Sequence, residues 1–186
     1  MNSQVSVNRI GVESPRRELR LSLNGVLWAL QILWGFFFAG SGFGKVLLYD
    51  AALYAEAPRV AAWYAAVPRP LIVFIGVCEV LGGIGLFLPA ITRVRPKLVP
   101  LAAAGLAVTM VLAAGFHIVR GEWALVPVNL VLGGVATFIA VARSGRRPTA
   151  PAPLTTRRAL ISAAVLALMV VTMIIPTWYR MTSGQF

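Results

Sequence analysis

Residues 70–90 read PLIVFIGVCEVLGGIGLFLPA, an apolar run that holds one acidic group, Glu79. At about 1.5 Å per residue, a helix of this length covers roughly 30 Å, the thickness of a bilayer's hydrocarbon core. Its apolar residues are continuous, without the period-two alternation of a half-buried strand. Lipid also leaves unpaired strand edges unsatisfied, so the stretch predicts a membrane-spanning helix. A carboxyl group in that setting costs several kcal/mol unless it is partnered or protonated. Glu79 is therefore both the most informative residue of the fold and the first functional candidate.

Similar apolar runs lie at 23–46, 98–119, 124–142 and 159–178. Composition agrees: 59% hydrophobic residues, 12% charged and a mean hydropathy of +0.81 exclude an ordinary soluble domain. The expected fold is an all-α membrane protein, a four-helix transmembrane bundle at 23–142 with a fifth transmembrane helix within 159–186. Residues 1–22 read as a basic tail. The segment 49–70, YDAALYAEAPRVAAWYAAVPRP, is alanine-rich and broken by prolines, which predicts a short interfacial helix capping the bundle. Residues 143–158, RSGRRPTAPAPLTTRR, read as a flexible basic linker.

A net charge of +11 would suggest nucleic acid in a soluble protein, but here the charge follows the membrane instead. Arg9, Arg16, Arg17 and Arg20 precede the first run; Arg93, Arg95 and Lys97 follow the second; Arg143, Arg146, Arg147, Arg157 and Arg158 follow the fourth. The opposite-side segments hold Arg59, Arg69, Arg120 and Arg180. The positive-inside rule places the amino terminus in the cytoplasm and, after five crossings, the carboxyl terminus outside. Tyr49, Tyr54, Trp63, Tyr64, Trp123, Trp178 and Tyr179 then gather at the outer face as an interfacial aromatic belt. The cytoplasmic arginines are suited to anionic lipid, and no nucleic-acid partner is expected.

The first run follows arginines and ends in small residues, as a signal peptide does. It is longer than a typical h-region and lies behind a polar-rich tail, so it reads as a retained helix. Cys78 is the one cysteine, which excludes an intrachain disulfide, a CxxC pair and a cysteine metal cluster. There is no dinucleotide fingerprint, haem-attachment motif or iron–sulfur cysteine set. His117 lacks a second histidine or cysteine to share a metal, so no metal site is expected. A short echo, VLGG followed after three residues by Phe, recurs at 80–87 and 131–138; glycine pairs also serve helix packing.

Depth along the helices brings the polar residues to one level. Lys45 ends the first run, Glu79 lies roughly 12 Å inside the second, His117 is near the end of the third, and Asn129 is roughly 8 Å into the fourth. In a compact bundle such residues can converge on the axis. Gly82 and Gly83 share a helical face with Glu79, leaving room for a ligand or a neighbouring backbone. Each has a plainer reading: Lys45 as a snorkelling lysine, His117 as an interfacial imidazole, Asn129 as an interhelical hydrogen bond. Arg120 and Glu122 read as a solvated pair of little energetic weight. Gln31 and Trp34 face a neighbouring helix, and GxxxG at Gly40 to Gly44 marks a close contact.

Three stretches carry a family resemblance: GSGFGK at 40–45, CEVLGGIGLFLP at 78–89, and LAAAGLAVTMVLAAGFH at 101–117. Together they resemble the DoxX-like family of small bacterial four-helix membrane proteins, over roughly residues 25–142. The resemblance implies a four-helix bundle in a bacterial plasma membrane, with Lys45, Glu79 and His117 at the family's recurrent polar positions. Members resemble the small subunit of thiosulfate:quinone oxidoreductase, and others are linked with membrane redox systems. The fifth helix and the arginine-rich linker depart from the minimal pattern, which implies a specialised complex with other membrane subunits.

The expected function is a membrane redox subunit that contacts a quinone. Glu79 and His117 would exchange protons as the catalytic groups, while Lys45, Asn129, Gly82 and Gly83 bind the headgroup and a partner supplies electrons. The alternative is an accessory subunit in which Lys45 and Glu79 pair to fix the bundle. A proton or solute carrier ranks last, for want of broken helices or a clear inverted repeat.

Overall fold

The computed structural model describes residues 15–47, 62–146 and 148–183, with side chains placed within 23–47, 63–145 and 148–172. Helix α1 runs over Pro15–Leu47, a 3-10 turn over Ala62–Ala66, α2 over Arg69–Thr92, α3 over Leu98–Val119, α4 over Val126–Val141 and α5 over Thr156–Ser183. A π-helical turn, Ala142–Arg146, continues α4. There is no strand among the described residues. Among the described residues four helices are long and apolar enough to cross a membrane: Leu23–Leu47, Arg69–Thr92, Leu98–Val119 and Val126–Gly145. The tail up to residue 14, the 49–70 segment as far as residue 61 with Tyr49, Tyr54 and Arg59, and residues 184–186 lie outside the described residues, as do the side chains of Trp178, Tyr179 and Arg180.

Proline sets the helix starts. Pro70, Pro100 and Pro127 each fall in a first turn, where the missing N–H costs no intrahelical bond. Helix α2 stops at Arg93, which takes a left-handed conformation at φ 58°, and Arg95 repeats it at φ 47° before Pro96. This tight turn sends α3 back alongside α2.

The α1–α2 pair is held by glycines in antiparallel register. Gly35 lies against the Gly83 carbonyl and Gly42 against the Gly76 carbonyl, two helical turns apart on each helix. A Cβ built on Gly83 would stand 2.6 Å from both Gly35 O and Ala39 N, so the two backbones are in direct contact. Small residues permit that approach where lipid supplies no hydrophobic drive between helices. Within the GxxxG at Gly40 to Gly44, space beside Gly44 is open, and Gly42 between the two bears on α2.

Phe38, Leu86, Ala103, Leu106, Met110, Ala136 and Ile139 form the central core, with contributions from α1 to α4. Helix α5 stays outside it. Met169 packs with Ala39 and Phe87, supported by Val165 and Leu166, so α5 lies along the outer side of α1 and α2.

The end of the bundle opposite Lys45 departs from expectation. Arg143 is not a linker cation on the surface; it is buried, as the second residue of the π turn. Its Nε donates to Gln31 Oε1 at 2.6 Å and its Nη1 to Asn24 Oδ1 at 2.9 Å, with the Trp28 ring 5.7 Å from the guanidinium. Gln31, fully buried, donates in turn to the Leu86 carbonyl at 2.5 Å. That carbonyl neighbours Gly85, whose usual helical donor is removed by Pro89. Extending α4 by one wide turn is what carries Arg143 inward rather than into the linker. The linker itself touches the α2–α3 turn, with Ala152 N donating to Arg93 O at 3.3 Å.

Candidate functional site

Lys45 leaves the last turn of α1 pointing back along the helix, the direction in which helical Cβ atoms tilt. Its ammonium reaches Ser41 Oγ, one turn earlier, at 2.6 Å and Glu79 Oε2 at 2.7 Å. Both charged side chains are withdrawn, 6% and 5% exposed. The lysine therefore does not snorkel outward. The Gly42–Gly76 contact lies directly below it, since a Cβ on Gly76 would meet the Lys45 Cβ at 2.8 Å. Close backbone approach thus sets the reach that the pair needs. Two of the three ammonium donors are used in these bonds, and Glu79 Oε1 takes no hydrogen bond from a described residue.

His117, in the last turn of α3, is buried. Its Nδ1 meets Glu122 Oε2 at 2.6 Å, while Arg120 Nε donates to Glu122 Oε1 at 2.8 Å. Desolvation alone would raise the Glu122 carboxyl, but the hydrogen bonds from His117 and Arg120 outweigh it and hold its pKa below the ordinary value. An ionised carboxylate accepts only, so Nδ1 must carry the proton. The other ring nitrogen, Nε2, then holds a lone pair when the ring is neutral, and no described residue takes it up. The Arg120–Glu122 pair, which the sequence reads as solvated and of little energetic weight, also orients the histidine through Glu122. The signal was present in the chain as His-x4-Glu across a helix end, closed by Gly121 at φ 71°.

The 3-10 turn roofs the two charged groups. Tyr64 lies with its ring 5.9 Å from the Lys45 Nζ, and Trp63 stands edge-on to His117 at 5.9 Å. Trp63 and Tyr64 also stack on each other at 4.0 Å. Burial first, and then the charge of Glu79, push the Tyr64 phenol up to about 12, so it remains a neutral hydroxyl.

Beneath this roof is a cavity of about 490 Å³, within the range of ligand pockets. Its polar wall includes Lys45, Glu79, His117, Ser41, Tyr64 and Asn129, and the rest is dominated by apolar residues such as Phe38, Phe74, Met110 and Leu132. Lys45, Glu79, His117 and Asn129 are thus brought to one space. Asn129 spends one donor on its own helix, Nδ2 to Leu125 O at 2.9 Å. Gly82 and Gly83 are not in the wall. Gly82 faces Leu106 and Gly83 the α1 backbone, so both serve helix contacts rather than a ligand. In the second glycine pair of the echo, Gly133 lies against Met110 while the space beside Gly134 is open. No group of His, Cys, Asp and Glu among the described residues could hold a metal ion.

A model of the DoxX-like family matches residues 29–139. The chain belongs to that family. In this DoxX-like chain the matched stretch contains Lys45, Glu79, His117, Glu122 and Asn129, and ends before Arg143 and α5. With four helices fit to cross a bilayer, it is a multi-pass membrane protein. No curated protein and no solved structure matches the DoxX-like chain.

Proposed function

We propose that the cavity binds the headgroup of a membrane quinone and that the protein is the membrane subunit of a redox system. The observation that carries this reading is the convergence of Lys45, Glu79 and His117 on one apolar cavity. Reducing a quinone to a quinol consumes electrons and protons together. His117 Nε2, with Nδ1 held by Glu122, is arranged to exchange a proton with a ring oxygen. Glu79 exchanges the other, and the spare donors of Lys45 and Asn129 hydrogen-bond a carbonyl. Electrons come from a partner subunit, since the chain carries no motif for haem, an iron–sulfur cluster or a nucleotide. Gly82 and Gly83 contribute to the site through helix spacing alone.

In this reading the protein resides in a bacterial plasma membrane with its amino terminus in the cytoplasm. The Lys45 end faces outward and the Arg143 end inward, a reading that the distribution of arginines supports. Helix α5 is a fifth crossing that brings the carboxyl terminus outside and docks on other membrane subunits. The remaining linker arginines lie at anionic lipid. Equilibrium binding of a tail-bearing quinone to the purified protein tests the proposal: Glu79→Gln and His117→Ala should each weaken it at least tenfold. Affinity unchanged in both variants overturns it.

The buried pair favours one other reading, a non-catalytic accessory subunit whose Lys45–Glu79 bond fixes α1 to α2. Purification in mild detergent separates the two. Stoichiometric large partners without bound quinone point to the accessory role.

A further inference from the structure

The described residues cover the cavity on the side of the helix ends and leave its apolar wall exposed on the flank of the bundle. At the covered side, Trp63 and Tyr64 lie over the polar groups, Val67 is buried beneath the same turn, and Lys45 and Glu79 are almost fully withdrawn. At the flank, two wall residues are among the more exposed of the molecule, Phe74 at 63% and Leu112 at 69%. Phe74 is five residues inside the start of α2 and Leu112 seven inside the end of α3, roughly 8 and 10 Å into their spans. That depth belongs to hydrocarbon and not to water.

We infer that the cavity is loaded sideways from the bilayer. Its ligand is a membrane-dissolved amphiphile, with a hydrogen-bonding head under Trp63 and Tyr64 and an apolar tail leaving between Phe74 and Leu112. A water-borne solute would have to pass the aromatic roof and the buried ion pair. A lipid-dissolved molecule meets apolar side chains until its head reaches Lys45 and Glu79. The inference rests on the proposed use of the cavity as a ligand site and narrows its substrates to those that partition into lipid.

Cys78 supplies a reporter, because it lines the cavity beside Glu79 and is the chain's one cysteine. Membranes containing the full chain are treated, at alkaline pH so that thiolate formation does not limit, with a lipid-soluble maleimide or with a charged, membrane-impermeant thiosulfonate on both faces. The lipid-soluble reagent should label Cys78 at least tenfold faster. Leu112→Trp, which fills the flank opening, should slow it several-fold, while Val119→Trp, exposed and away from the cavity, should not. Equal labelling by the charged reagent, no labelling by either, or indifference to Leu112→Trp overturns sideways loading. None of these readouts needs a quinone. Protection of Cys78 by a tail-bearing quinone but not by a tail-less water-soluble one supports both readings. Lipid-selective labelling without quinone protection retains the access route and removes the quinone.

Discussion

Lys45 and Glu79, separated by 34 residues and carried on antiparallel helices, form a 2.7 Å ion pair that is buried on both sides. Taking two charges out of water is costly, and their attraction repays it only with good geometry and further hydrogen bonds. Ser41 supplies one such bond. The pair is thus costly to break and of small net value to stability, which makes fold and function separable by mutation.

Replacing one partner alone, Lys45→Met or Glu79→Leu, strands a buried charge and should cost about 3–5 kcal/mol. The double variant should recover most of that loss, and ligand binding should stay lost. Thermal unfolding in detergent, combined as a double-mutant cycle, measures the first effect; quinone titration measures the second. Double and single variants of equal stability would contradict the coupling.

Glycine contacts make a sharper steric prediction. Gly83→Ala drives a Cβ to 2.6 Å from two backbone atoms of α1, neither of which can rotate away. It should destabilise the bundle by about 1–3 kcal/mol, the range of overpacked cores. Gly44→Ala meets open space in the same α1–α2 region and should be neutral or stabilise by up to about 1 kcal/mol. Unfolding midpoints of the two variants, compared side by side, check the contrast.

Glu122 gives a pH dependence with a definite sign. Its folded pKa is depressed, so its contribution is fully present above the ordinary carboxylate value of about 4.3 and is lost as pH falls through the folded value. Its exposure limits the size of the effect. The stability gap between the wild type and Glu122→Gln should therefore be widest near neutrality and shrink on acidification. A gap that grows as pH falls would mean that the carboxylate is not held by His117 and Arg120. If the carboxylate orients the imidazole, Glu122→Gln should also shift the pH profile of the quinone binding proposed above, while Glu122→Asp partly restores it.

Arginines of the 143–158 segment should divide into two kinds. Gln31→Leu removes an acceptor from buried Arg143 and the donor to Leu86 O, and should cost about 1–3 kcal/mol. Arg157→Ala, at an exposed position, should stay within about 0.5 kcal/mol. Chemical denaturation of the two variants distinguishes them. Equal effects would place Arg143 on the surface after all.

The chain by itself determined the four spans, because their signal is local: a continuous apolar run of the right length can only be a helix in lipid, and α3 begins and ends where its run does, at Leu98 and Val119. It also singled out Lys45, Glu79, His117 and Asn129, since a polar residue in an apolar run is conspicuous wherever it points. What it could not specify was direction. Gly82 and Gly83 share a face with Glu79, but only the neighbouring helices decided that this face meets Leu106 and α1 rather than a ligand. Glu122 looked solvated until a helix end turned His117 toward it, and Arg143 looked like a linker cation until a π turn carried it under Gln31. Spacing along one helix fixes which residues share a side; which partner occupies that side depends on contacts between distant segments, and those exist only once the bundle has closed.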